Sequence, residues 1–216
     1  MRIKWFVAKA LKYALNPPAL NRSIVAKHGK VCPGCEVNGT TIDEYSYVGS
    51  FCFLLNAKIG KFCSIGDRCR IGGAEHTISA VSTSPVFFEG KNVLRTNFAD
   101  QKEAKTLDTV IENDVWIGAY SLIKSGVTIH NGAVVGMGSV VTHDIPPYEI
   151  WAGNPARFIR KRFDDETIEK LLQIKWWNWD DDRIEKFAPY FDDPKRLFAK
   201  IEEEKFSGQC EKSEND

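Results

Sequence analysis

Residues 111–146 read IENDVWIGAYSLIKSGVTIHNGAVVGMGSVVTHDIP, and an aliphatic side chain recurs in this stretch at every sixth position. A small or β-branched residue stands four places after each of the first five aliphatics. A period of six fits neither an α-helix, which repeats at about 3.6, nor a flat amphipathic strand, which repeats at about 2. It is typical of a parallel β-helix, in which each hexapeptide forms one short strand and a corner. The aliphatics are Ile111, Ile117, Ile123, Ile129, Val135 and Val141.

The same period, less regular, runs through the preceding part of the chain from residue 31 to residue 71. Two of its steps are five residues long, which predicts a tighter corner at each. The predicted fold class is therefore mainly β, with a parallel β-helix over residues 31–156 that is interrupted by a protruding loop at 72–110. The aliphatics of this part are Val31, Val37, Ile42, Val48, Leu54, Ile59, Ile65 and Ile71.

Cysteines occupy the small position in this earlier part. Cys32 and Cys35 on their own have the spacing of a redox or zinc pair. Four cysteines, however, stand four places after an aliphatic, where a small side chain fills an inward corner and free Cys acts as a small hydrophobe. No histidine stands at ligand spacing beside them, so we predict structural cysteines in a reducing compartment, and no metal. The four are Cys35, Cys52, Cys63 and Cys69.

Charge is distributed unevenly along the chain, although the formal net charge of its 216 residues is zero. Residues 1–35 contain seven Lys or Arg and no Asp or Glu, whereas residues 163–216 contain sixteen acids and nine bases. No basic patch carries interleaved stacking aromatics, which argues against nucleic acid as a partner. The basic start is a candidate contact for an anionic membrane surface. A mitochondrial transit peptide has a similar composition and is the less favoured interpretation.

Residues 1–30 are predicted to form an N-terminal helix and a linker. Apolar side chains recur at i, i+3 and i+4 spacing over residues 2–15, and Asn16-Pro17-Pro18 ends the helix. We expect its apolar face to pack on the main body; the alternative is peripheral membrane contact through residues 1–15. No apolar run approaches the ~20 residues that span a bilayer. The expected location is therefore cytoplasmic, with association at the inner face of the membrane as the further hypothesis.

The loop at 72–110 is where we expect chemistry, because a long loop in a compact fold is usually functional. It contains His76, whose neutral imidazole could take the proton of an attacking hydroxyl group as a general base. The alternative is a loop histidine whose ring is satisfied by a nearby backbone group. Sequence spacing alone leaves both open.

Four short segments carry a resemblance to a known family: IGKFCSIG at 59–66, NDVWIG at 113–118, GMGSVVT at 136–142 and AGNPA at 152–156. With the tail at 161–179, they resemble the hexapeptide-repeat acyltransferases. Within that family they are most similar to the branch of streptogramin and type B chloramphenicol acetyltransferases and many bacterial surface-sugar acetyltransferases. The resemblance implies a left-handed coil, a homotrimer, and acetyl-CoA bound between adjacent subunits. It matches His76 to the family's catalytic histidine, which promotes direct acetyl transfer.

The resemblance also implies cofactor contacts along the coil. The glycines would leave a flat wall for the pantetheine arm, although corner geometry alone also calls for glycine. Hydroxyl groups would donate to the pantetheine amides, a turn would shape the exit, and cations would meet the phosphates. His143 departs from the family, where a lysine is common. The predicted contacts are Gly118 and Gly136, Ser139 and Thr142, Asn154 and Pro155, and Arg160 and Lys161.

The acceptor is expected to be a sugar, carried by a nucleotide or a surface polysaccharide and acetylated on oxygen or nitrogen. Antibiotic-modifying members carry an extra lobe between the Tyr-Ser-Tyr motif and the IGKFCSIG motif, and only eleven residues separate Tyr47 from Ile59 here. An antibiotic such as streptogramin A or chloramphenicol is the alternative acceptor. Trp116, Tyr45 and Tyr47 are candidates to line the acceptor site, although aromatic residues on strands are more often packing residues.

The C-terminal part is predicted to be helical over residues 157–206, with a disordered tail at 207–216. Asp164 or Asp165 caps a first helix, and Asp192-Asp193-Pro194 starts another. A third function class, a non-catalytic β-helix scaffold, is disfavoured because His76 and Asn154-Pro155 are both intact.

Overall fold

A computed structural model of the chain describes residues 2–102 and 107–213, without the side chains of residues 2, 3, 5 and 205–213. It divides into two compact units, Met1–Arg162 and Phe163–Asp216. In chain order the strands are β1 (Ala19–Asn21), β2 (Ile24–Val25), β3 (Lys30–Val31), β4 (Glu36–Asn38), β5 (Thr41–Ile42), β6 (Tyr47–Val48), β7 (Phe53–Leu55), β8 (Ala57–Ile59), β9 (Ser64–Ile65), β10 (Arg70–Ile71), β11 (Thr109–Ile111), β12 (Trp116–Ile117), β13 (Leu122–Ile123), β14 (Thr128–Ile129), β15 (Val134–Val135), β16 (Val140–Val141), β17 (Glu149–Gly153) and β18 (Ala156–Lys161). The helices are α1 (Arg2–Leu15), α2 (Asp165–Ile174), α3 (Asp181–Phe187) and α4 (Pro194–Ser213).

The strands form three sheets, and from β1 to β16 every third strand joins the same sheet. Sheet A contains β1, β4, β7, β10, β13 and β16; sheet B contains β2, β5, β8, β11 and β14; sheet C contains β3, β6, β9, β12, β15, β17 and β18. The chain therefore winds around a three-sided shaft with edges A–B, B–C and C–A, named for the sheets they join. The predicted parallel β-helix is confirmed, and among the strands of the described residues β18 alone runs antiparallel to its neighbour.

The six-residue period sets which side chains enter the shaft. Ile65, Ile117 and Val135 are paired in register across β9, β12 and β15, and all three are completely buried. The small residues that follow four places later also point inward, as Cys63, Ser121 and Ala133 do. Stacked aliphatics thus form one continuous core along the shaft.

In most six-residue steps, the third residue after the aliphatic turns the corner with a positive φ, the left-handed region that non-glycine residues rarely adopt. In the two five-residue steps, Gly39 and Asn56 stand two places after the aliphatic and take this conformation instead. Residue type alone does not predict this conformation, because several of these residues are aromatic or charged. Their φ values lie between 56° and 62°, and they include Tyr45, Phe51, Phe62, Arg68, Asp114, Tyr120 and Tyr148.

The shaft starts earlier and ends later than predicted. β1 to β3 form a first coil inside the predicted linker, because Leu20 and Val25 continue the aliphatic period and the amide of Ala19 donates to the carbonyl of Cys35. At the other end β18 pairs with β17, so the predicted boundary at residue 156 moves to Arg162.

The cysteines at the small positions are buried free thiols that donate to backbone carbonyls. The Sγ of Cys35 lies 2.9 Å from the oxygen of Gly49, and the Sγ of Cys63 lies 2.8 Å from the oxygen of Glu112. Each thiol therefore links one coil to the next. Their inward packing agrees with the structural role predicted for them.

Alkaline pH is expected to weaken the shaft through Cys63. Burial raises the pKa of its thiol to about 12, whereas an unfolded cysteine ionises at about 8.5. Between these values the unfolded state releases its proton first, so stability falls as pH rises. In urea unfolding at about pH 8 and about pH 10, the loss of stability should be about 2 kcal/mol smaller in Cys63→Ala than in the wild type. Alanine suits the site because Ala133 occupies the equivalent corner. An equal loss in both proteins would contradict this assignment.

The C-terminal unit has a core of its own around Phe187, Leu197 and Ile201. Asp164 caps α2, accepting a hydrogen bond from the amide of Thr167, as predicted. α4 continues to Ser213, so residues 207–213 of the predicted disordered tail are helical, which suits their Glu, Lys and Gln content. Residues 214–216 lie outside the described part. No helix among the described residues is long and apolar enough to cross a bilayer.

Candidate active site

The protruding loop leaves and re-enters the shaft at the A–B edge. It leaves after β10, where the amide of Gly72 donates to the carbonyl of Ile123 at 3.0 Å. It returns at Thr109, which is completely buried and whose amide donates to the carbonyl of Asn56 at 2.9 Å. Ser125 Oγ on the next coil also donates to the carbonyl of Leu107. Both ends of the loop are therefore fixed to the ordered coil.

Two ion pairs anchor the two ends of the loop to the shaft. Glu75 Oε1 is buried, makes no hydrogen bond among the described residues, and lies 3.1 Å from Nζ of Lys124. Asp108 Oδ2 lies 2.7 Å from Nζ of Lys58 on β8. His76 follows Glu75 directly and its side chain is exposed. The structure therefore presents this imidazole at the surface of the A–B edge on an anchored stretch of backbone.

The predicted aromatic residues lie on a different side of the shaft. Tyr47 and Trp116 face outward from sheet C, and Ser64 lies between them in register. Trp116 is 57% exposed, so it is not a core residue of this chain. Tyr45 instead lies on the B–C edge, where its ring stacks between His28 and Phe62 at centroid distances of 5.2 and 5.0 Å. Tyr47 and Trp116 thus share a face from which Tyr45 is absent.

Close stacking of the coils explains the two predicted glycines. A Cβ on Gly118 would lie 2.5 Å from the backbone nitrogen of Met137, and one on Gly136 would lie 2.8 Å from the Cβ of Ala152. A side chain at either position would collide with the next coil. Close packing against the next coil is therefore sufficient to account for both glycines, whereas neither has the positive φ that the alternative of corner geometry would require.

The two predicted hydroxyl donors are placed differently. Ser139 is completely buried; its Oγ donates to the carbonyl of Gly136 at 2.6 Å and accepts from the amide of Gly153 at 3.1 Å. Its hydroxyl is therefore used inside the shaft, contrary to the role expected from the resemblance. Thr142 lies at the A–B edge, with Oγ1 2.9 Å from Nδ1 of His143.

The remaining predicted cofactor residues lie on the hairpin that closes sheet C. Asn154 and Pro155, joined by a cis peptide bond, form the exposed turn between β17 and β18. Arg160 is exposed on β18 and its guanidinium donates to the carbonyl of Lys161 at 2.9 Å. Arg157 is a third exposed base on the same strand. This hairpin is a cationic surface beside the face that carries Trp116.

Two groups of side chains were not predicted from the sequence: an ion pair between Arg162 and Asp114, and a surface cluster of Arg68 with Phe51 and Tyr120. Arg162 Nη1 donates to Oδ2 of Asp114 at 3.0 Å, and burial raises the pKa of that carboxyl group while the arginine opposes the shift. On the C–A edge, the guanidinium of Arg68 lies 5.1 Å from the ring of Phe51 and 6.0 Å from that of Tyr120. Phe51, Arg68 and Tyr120 each stand three places after an aliphatic residue, and this shared position could have indicated that they meet.

One chain does not bring all of the predicted site residues together. His76 and Thr142 belong to the A–B edge, whereas Trp116, Tyr47 and the hairpin belong to sheet C, on another side of the shaft. In the described part of the chain, no group of three or more His, Cys, Asp or Glu side chains is arranged to hold a metal ion. One side of the shaft therefore presents the imidazole of His76, and another side presents the aromatic face of sheet C beside the positively charged hairpin.

Comparison with known proteins agrees with this architecture. A family model described as bacterial transferase hexapeptide (six repeats) matches residues 108–143. The chain is 44% identical over 134 residues to a chloramphenicol acetyltransferase of Agrobacterium fabrum, covering 61% of this chain and 64% of that relative. It is 41% identical over 128 residues to a probable macrolide acetyltransferase of Lysinibacillus sphaericus, covering 58% of this chain and 71% of that relative.

A solved structure has the same fold. AntD, an N-acyltransferase from Bacillus cereus in complex with dTDP and 3-hydroxybutyryl-CoA, superimposes with a TM-score of 0.56 at 21% identity. The match covers 75% of this chain and 86% of that one. The fold and the relatives together define the class, and the chain belongs to the hexapeptide-repeat acyltransferase family. The resemblance inferred from the four sequence segments is confirmed.

Proposed function

We propose that the protein is an acetyl-CoA-dependent O-acetyltransferase that uses His76 as a general base. The observation that carries the proposal is the exposed imidazole of His76, which stands where the loop leaves the shaft and where an ion pair anchors the loop, in a chain of this family. A surface base can act on an acceptor without burying it in the chain's own core. The acceptor and the cofactor would meet beside the A–B edge.

The reaction follows from the chemistry of the groups. A hydroxyl group is a weak nucleophile, and a base within hydrogen-bond reach removes its proton as its oxygen attacks the thioester carbonyl. The new C–O bond forms, the C–S bond breaks, and the acetyl group passes directly to the acceptor. The CoA thiolate leaves and takes the proton back from His76. No covalent enzyme intermediate is required.

A homotrimer would complete the site. His76 and the face carrying Trp116 lie on different sides of one shaft. In the proposed trimer, a second copy brings its sheet C beside the first copy's A–B edge. The exposure of large apolar side chains supports such contacts, since surfaces this apolar are usually covered. Ile78 and Val93 of the loop are 89% and 91% exposed, and Trp116 is also open to solvent.

Acetyl-CoA would lie along this face and end at the hairpin. Its phosphates are polyanionic, and Arg157, Arg160 and Lys161 supply positive charge on one strand. Thr142 remains a candidate donor to the pantetheine amides because it lies on the A–B edge, where the loop leaves and re-enters the shaft. Ser139 is left out of the proposal, since its hydroxyl group is bonded within the shaft.

An antibiotic hydroxyl is the favoured acceptor, which reverses the preference for a sugar drawn from the sequence. The relatives at 44% and 41% identity are named for chloramphenicol and macrolide acetylation. That agreement extends over 134 and 128 residues, whereas the missing lobe concerns a single insertion, so the relatives carry more weight. Since the matched region spans 64% of the Agrobacterium relative, the acceptor is carried over as a proposal.

A sugar hydroxyl is the second candidate, and one observation favours it. β6, β7 and β8 follow one another without an insertion between Tyr47 and Ile59, so no additional lobe stands over this part of the shaft. An open surface would admit an acceptor larger than a drug, such as a nucleotide-linked or polysaccharide-bound sugar.

The decisive experiment is thiol release from acetyl-CoA across a panel of acceptors, with His76→Ala as the blank. The panel contains chloramphenicol, a macrolide, streptogramin A, amino sugars, nucleotide sugars and oligosaccharides. We expect His76-dependent release with a drug. Release with sugars alone would replace the favoured acceptor by the second candidate. If acetyl-CoA fails to bind and no acceptor is modified, the proposed activity is wrong.

A further inference from the structure

The N-terminal helix carries an exposed apolar stripe, formed by Phe6, Val7, Ala10, Leu11, Ala14 and Leu15. Every described side chain from Phe6 to Leu15 is exposed, so the helix does not pack on the shaft as expected from the sequence. Leu11 is 52% exposed and Leu15 is 75% exposed. A 14-residue helix gains little from its own hydrogen bonds in water, so an uncovered stripe indicates a further binding partner.

The polar side of α1 faces the shaft. Lys12 Nζ donates to Oγ of Ser50 at 3.0 Å and lies 5.1 Å from the ring centroid of Phe51. At 3.6 residues per turn, Lys12 projects from the side of the helix opposite Val7, Ala10 and Ala14, and Leu15 lies on the flank between the two sides. The amide of Gly34 also donates to the carbonyl of Asn16 at the end of the helix. These contacts tether the helix to the shaft and leave its apolar side facing away.

The chain segment that contains the stripe is positively charged, although Glu36 and Glu44 of the second coil lie beside the first coil. Residues 1–35 contain seven bases and no acid. Three of the bases, Arg22, Lys27 and Lys30, belong to the first coil, which has a neighbouring coil on one side only. That coil also exposes Leu20 and Ile24, which are 49% and 69% accessible. The open end of the shaft therefore combines apolar side chains with lysine and arginine, as α1 does.

A lipid surface suits this combination better than another copy of the chain. Two α1 helices brought together would oppose like charges. The acidic C-terminal unit of another copy has the opposite charge, but among its described side chains Phe191 is the one large apolar group counted as exposed. Its described side chains therefore offer no extended apolar surface on which the stripe could be buried.

We propose that α1 and the first coil form a peripheral docking surface for a bilayer rich in anionic lipids. The apolar stripe would enter the boundary between headgroups and acyl chains, while the flanking bases would contact the anionic headgroups. This surface lies at the end of the shaft where the chain begins, apart from the loop that carries His76. The proposal does not depend on which acceptor is acetylated.

Cosedimentation of the full-length protein with vesicles tests the proposal. Vesicles of phosphatidylcholine alone are compared with vesicles that also contain phosphatidylglycerol. The variant Leu11→Gln/Leu15→Gln removes the stripe but keeps good helix formers. The matched control is Phe158→Gln/Ile159→Gln, which removes two side chains that are 49% and 58% exposed on β18.

We expect the wild type and the control to pellet with the anionic vesicles, and the stripe variant to bind about tenfold more weakly. Lys4→Gln should weaken binding to the anionic vesicles, and added salt should do the same. Failure of the wild type to pellet, or equal loss in the control, would overturn the proposal. A change in oligomeric mass of the stripe variant, measured by light scattering without lipid, would also overturn it, because a second copy would then be the occupant.

Discussion

Replacing His76 with alanine is expected to lower kcat for acetyl transfer by about 10²- to 10⁴-fold, the range attributed to a positioned general base. The fold should be unaffected because the side chain is exposed on the loop, outside the shaft core. The unfolding midpoint and the oligomeric mass are therefore expected to match the wild type. If the imidazole acts only as a base, free imidazole in the assay should restore part of the lost turnover.

His130→Ala is the matched control. His130 is also near the surface, where Nδ1 lies 3.2 Å from Oε1 of Glu112, but it belongs to the B–C edge away from the loop. Its replacement should leave kcat within about twofold of the wild type, since it lacks contact with the reacting groups. Near-normal turnover of His76→Ala, or equal losses in both variants, would remove His76 from the mechanism.

Ile117→Ala is expected to lower the free energy of unfolding by about 2 to 5 kcal/mol. Ile117 is completely buried and lies in register between Ile65 and Val135, so its truncation opens a cavity in the stacked core. Urea unfolding monitored by circular dichroism measures the change.

The neighbouring residue provides the control for this prediction. Trp116 precedes Ile117 on the same strand but faces outward, so Trp116→Ala should cost less stability despite the greater loss of volume. If Trp116 lines the proposed site, its replacement should instead raise KM or lower kcat. A larger loss of stability in Trp116→Ala than in Ile117→Ala would contradict the inward and outward assignment on which the β-helix prediction rests.

Several features of the fold could be predicted from the sequence because they follow from short-range periodicity. The spacing of Ile117 and Val135 indicated the core, the position of Cys63 indicated an inward corner, and the Pro17-Pro18 pair indicated the end of α1. Each depends on residues within one or two turns of the chain. The cap of α2 by Asp164 is equally local.

Other features could not be predicted because they depend on which strands become neighbours. The hexapeptide spacing is the same on all three sheets, so it does not by itself indicate that His76 and Trp116 lie on different sides. The first coil was missed because Leu20 lies on an exposed strand and its period starts within a proline-rich segment. The uncovered stripe of α1 depends on tertiary contacts such as that of Lys12 with Ser50.

Ser139 is an instructive exception. It stands four places after Val135, the position that made Cys35 and Cys63 inward residues, and the same rule would have placed its hydroxyl group inside the shaft. The side chain follows the periodicity, and its hydroxyl group is bonded to the backbone of Gly136 and Gly153 inside the shaft.

The most direct test of direct transfer with His76 as the base is to follow a labelled acetyl group. The wild type and His76→Ala are mixed with radiolabelled acetyl-CoA, with and without chloramphenicol, quenched in acid, and separated into protein and small molecules. The mechanism predicts unlabelled protein throughout, and labelled acceptor in quantity from the wild type alone. Label retained covalently on the protein, or equal product from both proteins, would contradict it.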